Sequence, residues 1–154
     1  MPSKIDDRLK ELGLSLPDSP APLANYVPFI VSGGVVYVSG QVSRDDNGPI
    51  TGKLGVGVSV EAGAAAARRS ALALIAQLKA ACDGDLDRLK RVVKLTGFVN
   101  SAPDFTDQSK VINGASDLMV EVFGDRGRHA RSAVGVAALP FGVAVEVEGV
   151  FEIT

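Results

Sequence analysis

The sequence predicts an α+β fold: a mixed sheet with two helices on one face, in the order β-β-α-β-α-β-β after an N-terminal extension. Three observations lead there. Residues 143–153 alternate strictly, with Val143, Val145, Val147, Gly149, Phe151 and Ile153 on one face and Glu146, Glu148 and Glu152 on the other. That period of two marks a half-buried strand. Residues 59–82 carry Ala67, Ala71, Leu74, Leu78 and Ala81 at helical spacing. A second helical stripe, Val111, Ala115, Leu118 and Val122, falls between two further alternating stretches.

Size and composition narrow the function classes. A chain of 154 residues with 46% apolar content is expected to form one domain, residues 1–154, able to bury a core without disulfides or metals. Residues 1–24 read as a helix and proline-rich extension of it. Net charge is −2, with no dense Lys/Arg stripe, which argues against nucleic-acid binding. No apolar run is long enough to span a bilayer, so no membrane association is expected. The single cysteine, Cys82, forbids an internal disulfide, and the N-terminus lacks a secretion pattern; a cytoplasmic location follows as the expectation. One histidine and one cysteine cannot build a structural zinc site of the Cys/His type.

Taken in order, Ile5, Leu9 and Leu12 mark a short amphipathic helix that Gly13 and Pro17 should stop. Pro17, Pro20, Pro22 and Pro28 make an extended connector. A first hairpin is expected over residues 26–42, turning at residues 31–34, its second arm rich in β-branched residues. Residues 43–59 read as a glycine-punctuated loop, and the glycines there match neither a P-loop nor a dinucleotide fingerprint. Ser59 should cap the first long helix, with Glu61 in its first turn. Arg68 and Arg69 should be a solvated helix edge or a subunit contact. Residues 90–99 alternate with apolar residues on both faces, which predicts a central strand covered on both sides. The second helix is expected from residue 104 or 105 to 123. Asn113-Gly114 inside it is a poor choice on propensity alone. Either a polar group faces a pocket there or the helix makes a tight contact. The last two strands, from residue 131 to 137 and from 143 on, flank Leu139-Pro140-Phe141-Gly142, a turn signal. Paired as a hairpin, they would set Arg131 near Glu146 and Glu148.

Few residues can carry chemistry. His129 lies among Arg126, Arg128 and Arg131, a cationic setting that suits a base poorly, and reads as a loop residue. Cys82 sits on an apolar stripe and reads as buried and inert. Arg131 opens a strand whose same-side neighbours are Ala133, Gly135 and Ala137. It is either a salt bridge to Glu146 or Glu148 at an interface, or a fork for a substrate carboxylate.

The segments Ala130-Arg131-Ser132, Val134-Gly135-Val136, Leu139-Pro140 and Val145-Glu146-Val147-Glu148 resemble the C-terminal signature of the RidA (YjgF) family of trimeric imine/enamine deaminases. Tyr26 and Ser39-Gly40-Gln41, at the family's spacing of 13, extend the likeness over most of the chain. The resemblance implies a chorismate-mutase-like fold, a homotrimer closing its sheets into a barrel, and sites in clefts between subunits. Arg131 would hold the carboxylate of a small 2-imino or 2-oxo acid, and Glu146 would orient or activate water. Ser39 and Gly40 would line the pocket, Tyr26 would close it, and Asn113 would lie close by. Ala133 stands where the family often has cysteine. The N-terminal extension places the chain in a longer branch. The implied reaction is hydrolysis of reactive 2-imino or enamino acids to 2-oxo acids and ammonia, with no metal and no cofactor expected. The alternatives are a trimeric small-carboxylate-binding protein without turnover and, less favoured, an endoribonuclease, since two histidines cannot come from one chain.

Overall fold

The computed structural model describes residues 2–19 and 24–154. Pro20 and Pro22 of the predicted connector lie outside the described residues. Helix α1 (Lys4–Glu11) leads to strands β1 (Phe29–Ser32) and β2 (Val35–Val42). Then come helix α2 (Val60–Ala81), strand β3 (Leu89–Asn100), helix α3 (Gln108–Phe123), and strands β4 (Ala130–Val136) and β5 (Val145–Ile153). The predicted order thus stands. The 43–59 loop is braced by two short bridged pairs, 44–45 with 48–49 and 53–54 with 57–58.

The five strands form one sheet in the order β1-β2-β5-β3-β4. Every neighbouring pair is antiparallel except β3 and β4, which run parallel. The predicted C-terminal hairpin is therefore not formed. After the turn at residues 140–142, Val143 bridges Thr51, the Ala144 amide donates to the Ile50 carbonyl, and β5 inserts between β2 and β3. Strand β4 is left on the sheet edge, two places from β5. Non-local pairing outweighed a turn signal that local sequence could not distinguish from a hairpin.

Local chemistry fixes the helices. Ser59 caps α2, its hydroxyl accepting from the Ala62 amide at 3.1 Å. Asp83 (φ +53°) and Gly84 (φ +90°) end it. Helix α3 starts at Gln108, later than predicted. Its side-chain amide donates to the Phe105 carbonyl at 2.8 Å, and the Phe105 amide donates to the Ala102 carbonyl, so residues 102–105 form a turn instead. Arg68 pairs with Glu121 and Arg69 with Asp46, so both are surface ion pairs. Gln77, expected off the apolar stripe, is buried.

Leu74, Ile75 and Leu78 of α2 and Ile112, Leu118 and Met119 of α3 bury against Leu95, Val99, Val147 and Phe151 of the sheet. Among the described residues nothing covers the sheet's other face. A register irregularity between Val92 and Lys94 turns Val92 into the core and Val93 outward, so β3 is interior to the sheet but covered on one face only. Ile30 (53% exposed), Tyr37 (51%) and Val134 (44%) remain uncovered. Among the described residues, no helix is long and apolar enough to cross a membrane.

The extension docks on this body. Ser3 and Asp6 form a capping box at the start of α1. The Asp87 carboxylate accepts from the Lys4 and Ile5 amides at 2.9 and 3.1 Å, and Asp6 pairs with Lys79 at 2.8 Å.

Candidate functional site

Arg131 is the second residue of edge strand β4 and pairs in register with Leu95, itself paired with Gly149. Paired residues share a face, and Leu95 is fully buried beneath the helices. The Arg131 side chain therefore rises on the helix side, toward α3. Its Nη1 donates to Asn113 Oδ1 at 2.7 Å and to Ser116 Oγ at 3.2 Å. Both Nη1 hydrogens are used. Among the described residues of the one chain no carboxylate pairs with Arg131, so it is not bridged to Glu146 or Glu148 within a protomer. The Nε and Nη2 edge keeps two parallel N–H groups for a planar anion.

A groove of about 380 Å³ lies beside that guanidinium. Asn113, Ser116, Asp117 and Val120 line it from α3, and Arg128, His129 and Arg131 from the chain entering β4. The α3 residues are spaced i, i+3, i+4 and i+7, one face of a helix. That stripe was readable, but nothing local said it faces Arg131. Helix α3 sits close because Gly114 lacks a side chain. A Cβ there would overlap the Ala64 carbonyl oxygen and lie 2.7 Å from its carbon. The two readings of Asn113-Gly114 thus fall to separate residues: Gly114 makes the tight contact and Asn113 the polar one. Ala133, next but one to Arg131 on the same face, is half-buried and packs against the core.

His129 does more than occupy a loop. Its Nε2 lies 2.9 Å from Ser116 Oγ and its Nδ1 2.6 Å from the Gly127 carbonyl. Neither Ser116 nor this role of His129 was found from sequence. Cys82 is buried, and burial pushes its thiol up.

Glu146 is elsewhere. It pairs with Val42 on one side and Phe98 on the other, and Phe98 pairs with Val134. This row belongs to the open face, opposite Arg131, two strands away (roughly 10 Å across the sheet) and three residues further along the strands. Gly40 lies against it at the irregularity between Val38 and Gln41: a Cβ at Gly40 would fall 2.8 Å from Glu146 Oε1. Burial is the first cause that raises the Glu146 carboxyl above its ordinary value, and Glu148 adds to it. Ser39 Oγ donates to the Val27 carbonyl at 2.8 Å, and its amide donates to the Pro28 carbonyl at 2.9 Å, which fastens the 26–28 segment beside this half. Tyr26 is exposed there. The predicted residues thus form two groups, Arg131–Asn113–Ala133 and Tyr26–Ser39–Gly40–Glu146, on opposite sides of the sheet.

A larger groove, about 760 Å³, runs between α1, residues 14–19 and α2, but its Lys79 is already paired with Asp6. Among the described residues no group of three His, Cys, Asp or Glu side chains gathers as a metal site.

Two helices packed on one face of a β1-β2-β5-β3-β4 sheet, with β3 and β4 parallel, define a chorismate-mutase-like α+β protein. The chain belongs to the YjgF family, described as "YjgF/chorismate mutase-like, putative endoribonuclease", which matches residues 6–149. It is 54% identical to Protein TCP17 of Trypanosoma cruzi over 152 residues, covering 97% of this chain and 94% of that protein. It is 29% identical to a 2-iminobutanoate/2-iminopropanoate deaminase of Dermatophagoides farinae, covering 89% and 92%. The crystal structure of Atu1372 from Agrobacterium tumefaciens superposes with a TM-score of 0.91 at 49% identity, covering 97% and 92%.

Proposed function

We propose that the chain hydrolyses small 2-imino acids to 2-oxo acids and ammonia, acting as a single domain in a homotrimer. The observation that carries this is the free Nε/Nη2 edge of Arg131, unclaimed by any described acid and set against a polar groove. A substrate carboxylate would lie on that edge through two charge-assisted hydrogen bonds. Asn113 and Ser116 hold the guanidinium in the receiving orientation.

The second half of the site would come from a neighbouring copy. Arg131 and Glu146 lie on opposite faces, so one chain cannot bring both to one small acid. Edge strand β4 and the apolar open face are liabilities that assembly would cover. In the assembled cleft Glu146 of the next copy takes a proton from water as the oxygen attacks C2 of the imine. The resulting carbinolamine collapses to the 2-oxo acid as nitrogen, protonated, leaves as ammonia. Burial raises the Glu146 carboxyl, which makes it a stronger base toward that water than an ordinary carboxylate. Tyr26, Ser39 and Gly40 would line that half, with Gly40 leaving space for the Glu146 carboxylate.

The test is loss of 2-iminobutyrate generated in situ. Wild type should accelerate it and Arg131→Ala should lose the acceleration; equal rates would refute the reading. Binding of 2-oxobutyrate with no rate effect would favour the second reading, a carboxylate-binding protein, for which the Arg131 groove alone suffices. The RNA-cleaving reading has only His129 to draw on in each chain.

A further inference from the structure

The hydrogen bonds along the Arg131 groove have a direction, and it is set by one proton. The Gly127 carbonyl can only accept, so His129 carries its hydrogen on Nδ1. In the neutral ring Nε2 is then bare and accepts from the Ser116 hydroxyl at 2.9 Å. Arg131 Nη1 can only donate, so at 3.2 Å it points at a lone pair of the same oxygen. The Ser116 hydrogen is thus turned away from the groove, and an incoming carboxylate meets lone pairs there. A proton on Nε2 inverts the pattern. The imidazolium donates to Ser116 Oγ, and the hydroxyl hydrogen is released to a ligand oxygen.

We propose that Ser116 is a ligand-contacting hydroxyl of this groove and that His129 is the positioning residue that sets its donor direction, so that a small carboxylate is taken up together with one proton. The proposal rests on the reading of Arg131 as the carboxylate anchor. The charges around the imidazole fit such coupling. From α3, Asp117 attracts an imidazolium. From the turn before β4, Asp125 does the same but is engaged by Arg128 at 3.3 Å, and Arg126 is engaged by the Leu89 carbonyl. Lys94 of β3 pairs with Ala130, on the other face of the sheet. Arg131 is the cation that shares Ser116 with the ring and repels its charged form. A carboxylate docked on Arg131 cancels that repulsion, which is why ligand and proton should arrive together.

Titration calorimetry with 2-oxobutyrate, across pH and in buffers of different ionisation enthalpy, reads both affinity and protons taken up. Wild-type Kd should weaken as pH rises, by several-fold to about tenfold per pH unit where one proton is taken up with the ligand. His129→Gln, or His129→Asn if the first does not fold, should abolish the slope and the proton uptake. Ser116→Ala should weaken binding at pH 6.5 and flatten the profile. Wild-type binding that is independent of pH but lost in Arg131→Ala overturns this inference and leaves the anchor standing. A slope that survives in His129→Gln also overturns it. Binding unaffected by Arg131→Ala, or absent at every pH, overturns the anchor and this inference together.

Discussion

Replacing Gly114 with alanine sets two effects against each other, and their sizes decide the outcome. Alanine is the better helix former by about 1 kcal/mol at an interior position. Against that, the new Cβ would overlap the Ala64 carbonyl oxygen and approach its Cα to 3.0 Å. These are backbone atoms of α2 and cannot rotate aside. Relief requires α3 to move off by roughly an ångström, and overpacking of this kind costs about 1–3 kcal/mol, occasionally more. Overlap with immovable backbone puts the cost in the upper part of that range, about 2–3 kcal/mol, so the clash should win by about 1–2 kcal/mol, a fall in Tm of about 2–8 °C for a chain of this size. The same movement shifts Asn113 relative to Arg131 and misaligns the 2.7 Å hydrogen bond between them. Thermal unfolding by circular dichroism at fixed protein concentration, beside a 2-oxobutyrate titration, measures both. A Gly114→Ala protein as stable as wild type, or more so, would mean that α3 does not rest on Ala64 and that Asn113 is not held there by this contact.

Other perturbations follow from charge. Because burial raises the Glu146 carboxyl, the folded chain holds that proton more tightly than the unfolded one. Its contribution to stability is therefore present in acid and lost as pH climbs through the raised value. Glu146→Gln should gain stability over wild type at neutral pH, with the gain shrinking on acidification; urea denaturation at two pH values checks the sign, and a loss at neutral pH contradicts it. Asp87→Ala removes the acceptor for two amides at the start of α1, at a local cost of about 1 kcal/mol. Amide exchange should quicken over residues 4–11 and stay slow in β3; equal quickening of both would be the wrong result. Acid should loosen the same helix. The hydrogen bond from Lys79 is the largest cause holding the Asp6 carboxyl below its ordinary value, so that support is lost as pH falls through the depressed value.

What the sequence made legible follows the range of each interaction. Residues 145–153 announced their two faces because every second side chain is buried. Ser59 announced a helix start because its partner amide is three residues on. The pairing of β4 was hidden, since its neighbour β3 is contributed from beyond α3 and the Pro140–Gly142 turn is equally compatible with a hairpin. That single misplacement set Arg131 beside Glu146 and Glu148 of its own chain, from which the sheet separates it. Asn113 showed only as an awkward residue for a helix, and its purpose depends on a guanidinium 18 positions away. Ser116 and His129 gave no signal, because a serine in a helix and a histidine among arginines become a pair only once α3 and β4 lie side by side.

The placement of Arg131 and Glu146 on opposite sides of the sheet has a genetic corollary. If the two groups meet only across a seam, each polypeptide owns two incomplete halves and never a whole catalytic centre. Two defective alleles, one damaged on the helix side and the other on the open side, could then rescue each other in a mixed oligomer, whereas two alleles damaged on the same side could not.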